Sequence, residues 1–324
     1  MTNTHRAISL SLMSAFLAIA PARAEDKPAQ PPQASYRVLA QDNGHVAIIN
    51  SKGEVEWEVP CGGTSHDIAL LPNGNFLLHT GATTIEEITP EKKVVWKHES
   101  KRKEGYTGNV EIHAFQRLPD GLTMISESGN ARIIEVDKDD KIVHEIALKV
   151  DRPSSHSDTR LVRKLDNGHY IVSHENDGTV REYDAAGKVV WSYKLDLAGR
   201  PPSPGHGPEG HGDHVFDALR LPSGNTLIAA GNGNRIFEVT PEGKTVWSIE
   251  HDELPGITLA WVTTLEVLPN GNIIFGNCHA GPENPQLIEV TRDKKVVWTF
   301  KDFKHFGNSL ATAQVLGIEG KVLR

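Results

Sequence analysis

From about residue 36 onward the chain alternates short apolar runs with polar turns, and nowhere does it show the 3.6-residue period of a helix. Runs such as Phe76-Leu77-Leu78 and Ile85-Glu86-Glu87-Ile88 have the length and alternation of β-strands. The pattern recurs. Six segments end alike: Gly53-Glu54-Val55-Glu56-Trp57, Lys92-Lys93-Val94-Val95-Trp96, Asp140-Lys141-Ile142-Val143-His144, Gly187-Lys188-Val189-Val190-Trp191, Gly243-Lys244-Thr245-Val246-Trp247 and Lys294-Lys295-Val296-Val297-Trp298. A second signature is a tight turn, Leu71-Pro72-Asn73-Gly74-Asn75 and its counterparts ending at Gly121, Gly168, Gly224 and Gly271, and these glycines lie 47, 47, 56 and 47 residues apart. Asn-Gly and Asp-Gly accept the positive φ that a hairpin requires.

Each repeat therefore predicts four antiparallel strands, A to D, and four short strands per repeat of about 40 to 50 residues mark a propeller blade. The strands near Tyr36–Ala40, His45–Ile49 and Val55–Val59 lack an inner strand, and the run Leu310–Leu323 supplies one. The expected fold is all-β: a six-bladed β-propeller over residues 36–324, its ring closed by the N-terminal strands joining the C-terminal strand, which removes open edges. The repeated Trp and Gly positions read as scaffold.

Ahead of the repeats, Met1–Ala24 combines an early Arg6, an apolar stretch from Ala7 to Ala20 and Ala22-Arg23-Ala24. That is the pattern of a secretory signal peptide cleaved after Ala24, and it predicts export to the periplasm or beyond. Residues 25–35, EDKPAQPPQAS, read as a disordered linker. No stretch reaches the roughly 18 apolar residues of a membrane span, so no membrane insertion is expected. A formal net charge of −8 with no basic run argues against nucleic acid. A small-molecule substrate or ligand, or an unidentified protein partner, remains. Cys61 and Cys278 are the two cysteines; they could pair in an oxidising compartment, but the blade assignment puts them in blades that do not touch side by side.

In this fold strand A lines the channel, and the D-to-A and B-to-C connections share one face, where function gathers. Eleven of the fifteen histidines after the signal peptide fall on these connections or at the start of strand A. His66-Asp67 and His113 each stand five residues before the turn Leu, and His156-Ser157-Asp158 and His211-Gly212-Asp213-His214 open the next two blades. Trp261 and the pair Asn308 and Ser309 take this place in the last two. Imidazole is a transition-metal ligand, a base and a nucleophile. One expectation is a divalent transition metal on His66, His113, His156, His211 and His214, with Asp158 and Asp213 as further ligands or orienting partners. The other is a His-centred catalytic site of His66, His113 and His156, with Arg160 holding an anion. The longest connection, Leu195–His214, carries three histidines among Pro and Gly, and a second insertion begins Asn277-Cys278-His279. There is no phosphate-cradling Gly loop, Gly-x-Ser-x-Gly elbow, His-Glu-x-x-His helix or Cys-x-x-Cys-His haem site.

The repeat ending in Gly-Lys-Val-Val-Trp resembles the blades of the PQQ-like β-propeller proteins over essentially the whole chain after the linker. Enzymes of that group that hold the quinone use eight blades and calcium; six blades with no vicinal Cys pair make PQQ an unexpected cofactor here. The strand His66-Asp67-Ile68-Ala69-Leu70-Leu71-Pro72-Asn73-Gly74-Asn75 is also similar to one in bacterial arylsulfotransferases, which are six-bladed periplasmic enzymes. That resemblance implies sulfuryl transfer through one of His66, His113 or His156, with the others and Arg160 binding sulfate oxygens. This chain is shorter and lacks that family's extra N-terminal domain. The sequence thus predicts an exported propeller whose histidine-lined mouth forms a metal or His-centred site for a small anionic or carbohydrate substrate; the alternative is a non-catalytic binding scaffold.

Overall fold

The structure, a computed structural model, describes residues 1–2, 36–62 and 65–324. The signal-peptide and linker assignments lie outside the described residues, save for Met1 and Thr2. Among the described residues, twenty-four strands form six four-stranded sheets. Blade 1 holds β4 (Ile68–Leu70), β5 (Phe76–Gly81), β6 (Thr84–Ile88) and β7 (Val94–Glu99); blade 2 holds β8 (Glu111–Arg117), β9 (Thr123–Ser128), β10 (Arg132–Val136) and β11 (Ile142–Ala147). Blade 3 holds β12 (Val162–Lys164), β13 (Tyr170–His174), β14 (Thr179–Tyr183) and β15 (Val189–Lys194); blade 4 holds β16 (Asp217–Arg220), β17 (Thr226–Ala229), β18 (Ile236–Val239) and β19 (Thr245–Ile249). Blade 5 holds β20 (Trp261–Val267), β21 (Ile273–Cys278), β22 (Leu287–Val290) and β23 (Val296–Phe300). Blade 6 joins both ends of the fold, in the order β24 (Thr312–Leu316), β1 (Arg37–Asp42), β2 (His45–Ile49), β3 (Val55–Pro60), with Leu39 opposite Gln314.

Local chemistry explains the repeat. Gly74, Gly121, Gly168, Gly224 and Gly271 all sit at φ between 82° and 89°, where a side chain would meet backbone strain although nothing lies within 4 Å. The middle strands β9, β13 and β14 are buried on both faces because blades stack face to face, while the outer β15 alternates. A bulge in each C–D pair sets the recurring aromatic opposite its strand-C partner, as in Glu182 opposite Trp191 and Glu238 opposite Trp247. The indole N–H then reaches the next blade: Trp57 donates to Pro90 O at 2.9 Å, Trp191 to Pro241 O at 2.7 Å and Trp247 to Arg292 O at 2.8 Å. Arg117, Arg220 and Arg292 of the following blades cover Trp96, Trp191 and Trp247 at 4.6–5.2 Å. His144 keeps the stacking role with Tyr170, 6.4 Å away and 15° from parallel.

Around the channel the inner strands splay, leaving backbone N–H groups facing a neighbour that offers no ladder. Side chains from the preceding blade accept them. Asp67 takes Phe115 N–H, Gln116 takes Lys164 N–H, Asp217 takes Leu265 N–H, Glu266 takes Val315 N–H and Gln314 takes Leu70 N–H, at 2.7–3.3 Å. Between blades 3 and 4 the bond runs the other way and is backbone to backbone, from Leu161 N–H to Phe216 O at 3.1 Å. Asp67 is also gripped by both terminal nitrogens of Arg163, at 2.7 and 3.0 Å.

The two cysteines correct an expectation. Cys61 ends blade 6 and Cys278 ends β21 of blade 5, which are neighbouring blades in the ring, and both are buried free thiols. Among the described residues no helix is long and apolar enough to cross a membrane.

Candidate metal centre

The channel mouth brings Glu111, His113 and His156 together, each offering one donor atom, with all three atoms within 4.8 Å of one another. Glu111 opens β8, and a register shift between Ile112 and Ala114 frees His113 from the ladder and turns it toward the mouth. His156 comes from the loop between β11 and β12 and is the exposed member, with 59% of its side chain accessible. That loop is folded around buried Asp158, whose two oxygens accept Ser154 N–H at 2.5 Å and Gly129 N–H at 2.8 Å.

His113 is held in one orientation. Its Nδ1–H donates to Thr159 O at 2.7 Å, which leaves the Nε2 lone pair 3.0 Å from Glu111 Oε2. His156 Nδ1 reaches the same oxygen at 2.8 Å. Burial first, then Arg160, pushes His113 down to about 4, so its ring is neutral near pH 7. Burial alone would raise the Glu111 carboxyl; a proton or other cation shared with His113 and His156 outweighs it and holds the group below the usual carboxylate range. A neutral imidazole lone pair facing a carboxylate oxygen repels it unless a cation stands between them. Atoms 2.8–3.0 Å apart are what two metal–ligand bonds of about 2.1 Å span when they meet near a right angle. Backbone anchoring of the other ring nitrogen is the usual outer partner of a metal-binding His.

His66 flanks this group. Its ring centroid lies 4.7 Å from that of His113 and 6.1 Å from that of His156, and its Nδ1 is buried with no hydrogen-bond partner among the described residues. Burial, then Arg160 and the neighbouring histidines, keeps it well below the ordinary imidazole value. Arg160 occupies the position in blade 3 equivalent to His66 and His113, five residues before the turn Leu165. Its guanidinium pairs with buried Glu175, donates to His156 O and lies 3.1 and 3.3 Å from the two ring nitrogens of His113. Burial draws the Arg160 pKa down and the Glu175 pKa up, each countered by its partner. The charge that would bind a sulfate oxygen is thus already met by Glu175.

The other residues singled out in the sequence stand apart. His211 donates from Nε2 to Leu197 O at 3.0 Å and ties down the long connection. His214 Nδ1 lies 3.6 Å from Glu175 Oε1. Asp213 pairs with Lys194 and, at 3.3 Å, with Arg152 on the rim. Asp158 has both oxygens committed to backbone. Glu111 was missed by the sequence reading, although its i, i+2 spacing to His113 was the available signal.

No known family profile matches the chain, and no curated protein matches it. Solved structures do. A protein of unknown function from Bacteroides caccae is 22% identical with a TM-score of 0.72, over 89% of this chain and all of that one. The WD40 β-propeller domain of Doa1 is 16% identical with a TM-score of 0.54, over 75% of this chain and 72% of that one. The catalytically inactive virginiamycin B lyase from Staphylococcus aureus with quinupristin, a histidine-to-alanine variant, is 14% identical with a TM-score of 0.51, over 84% and 86%. These likenesses establish a β-propeller and nothing finer.

Proposed function

We propose that the protein is an exported, metal-dependent propeller enzyme that acts on a small substrate at the channel mouth, with a first-row divalent metal held by Glu111, His113 and His156. One observation carries the reading: the His113 lone pair faces the Glu111 carboxylate at 3.0 Å, with the other ring nitrogen committed to Thr159 O. Two imidazoles and one carboxylate suit such a metal and leave positions for water and substrate. The metal would supply Lewis-acid polarisation and an acidified water. His66, neutral and with Nδ1 unpartnered among the described residues, would accept a proton. That a propeller in the virginiamycin B lyase group loses activity with one histidine accords with histidine chemistry on this architecture. Sulfuryl transfer is the weaker reading, because Arg160 is neutralised by Glu175. Export rests on the residue 1–24 pattern.

The test is elemental analysis of protein purified without chelators. One equivalent of metal per chain is expected, falling at least tenfold in Glu111→Gln and His113→Gln with circular dichroism unchanged. Metal-free wild type, or metal retained equally by both variants, overturns the reading.

A further inference from the structure

Across the mouth from the metal ligands stands a second group of side chains with a different character. Trp261 opens β20 and is packed in part into the core, and an exposed imidazole stacks on it: His206 lies 4.9 Å from it, 25° from parallel. His214 and His279 meet the same indole edge-on, at 5.8 Å and 71°, and at 6.4 Å and 81°. His279 holds φ +60°, a conformation costly for a residue with a Cβ, and is kept there by Asn308, whose carbonyl accepts His279 N–H at 2.7 Å and whose Oδ1 accepts Gly281 N–H at 2.9 Å. The half thus displays a flat aromatic face ringed by imidazoles, with no acceptor bonded to the Trp261 indole N–H among the described residues.

His206 is weakly secured. No hydrogen bond is made by either of its ring nitrogens among the described residues, and it sits between Gly205, at φ +122°, and Gly207 in the Pro- and Gly-rich connection. The Ser203–His211 bridge and the His211 to Leu197 O bond tie the base of that connection, and neither reaches the His206 ring. Ring contacts alone, with Trp261 and at 5.4 Å with His279, hold it over the indole.

We propose that the Trp261 face now covered by His206 is a binding subsite for a neutral saccharide ring, and that the Leu195–His214 connection swings His206 aside to admit it. A sugar presents an apolar C–H face that stacks on an indole and a rim of hydroxyls that both donate and accept. Neutral imidazoles match such a rim, since each carries one donor and one acceptor. Burial first pushes both His214 and His279 below the ordinary imidazole range, so both are neutral near pH 7. Arg160 is paired with Glu175, which also approaches His214 at 3.6 Å, and Arg152, the other arginine that acts on His214, is paired with Asp213, so neither is free for an anionic ligand. This deepens the reading of the mouth as the working site by naming the substrate class.

The experiment is calorimetric titration of chelator-treated full-length protein with neutral cello-, xylo-, manno- and chito-oligosaccharides and, separately, with p-nitrophenol. One saccharide series is expected to bind wild type, to bind His206→Ala about two- to tenfold more tightly because one competing aromatic stack is gone, and to bind Trp261→Phe about tenfold more weakly. His206 is exposed, so its variant tests the idea even where Trp261→Phe fails to fold. Absence of binding by every saccharide, equal or weaker binding by His206→Ala, or binding of p-nitrophenol alone overturns the proposal. Because the protein is chelator-treated, failure of the metal assignment leaves this titration unchanged, and failure of saccharide binding leaves metal content unchanged.

Discussion

Replacing Asp67 by Ala decides whether the His66-Asp67 pair is chemistry or scaffold. Asp67 is buried, accepts Ile68 N–H at 3.0 Å and Phe115 N–H at 3.1 Å, and binds Arg163 through both oxygens. Removing the carboxylate strands a buried guanidinium, at a cost of about 3–5 kcal/mol. It also orphans the Phe115 N–H, which costs about 1–3 kcal/mol. Asp217 is a second acidic neighbour of Arg163 and recovers part of the loss, so the expected destabilisation is about 4 kcal/mol. With a urea m-value near 3 kcal/mol/M, the midpoint should fall by about 1.3 M at constant m. Asp67→Asn fills the same space and keeps one acceptor, and should cost about half as much. Urea unfolding followed by tryptophan fluorescence measures both, and the folded fraction of each variant should carry wild-type metal. Asp67→Ala unfolding within about 1 kcal/mol of wild type refutes the clasp, as does an Asp67→Asn protein that keeps its stability and loses its metal.

Three further outcomes follow from the same contacts. Trp191→Phe keeps the ring beneath Arg220 but loses the bond to Pro241 O, and should cost about 1 kcal/mol in denaturant; a neutral result means the inter-blade bond adds nothing. In chelator-treated protein, His79, His113 and His174 are pushed by burial to about 4 from 6.5. The unfolded chain therefore binds more protons between those values, and their contribution is intact above pH 6.5 and lost as pH falls toward 4. The three together lose about 5 kcal/mol between pH 7 and pH 5. Burial pushes Asp217 up to about 6 and Glu266 up to about 7, and these carboxyls act oppositely, returning about 3 kcal/mol over the same interval. Stability should thus drop on acidification, and a melting temperature flat or rising from pH 7 to 5 contradicts this. Finally, intact mass of the protein recovered from the periplasm or medium should begin at Glu25; an uncleaved chain in the cytoplasm contradicts export.

The blades were legible because their marks are local. An Asn-Gly turn and a β-branched run ending in Trp report backbone geometry within a few residues, so blade number and closure could be read directly. The site depended on what lies across the channel. His113 and His156 come from adjacent blades and converge, whereas His211 and Asp213, alike in spacing to His156 and Asp158, are drawn off by Leu197 O and by Lys194. Spacing within a loop does not say which carbonyl or cation lies nearest in the fold. Asp158, expected as a further metal ligand or orienting partner, spends both oxygens on the Ser154 and Gly129 N–H groups instead. Glu111 is one carboxylate among many along the chain, and only the fold sets it against both His113 and His156.

The central claim is that a metal ion sits between Glu111, His113 and His156. Crystals grown without chelator and soaked in Mn²⁺ or Co²⁺, with data collected at the metal's absorption edge, test it most directly. The account predicts one anomalous peak within bonding distance, about 2.0–2.3 Å, of Glu111 Oε2, His113 Nε2 and His156 Nδ1. No peak there, with His113 and Glu111 still 3.0 Å apart, would mean that a proton bridges them and would contradict the metal assignment.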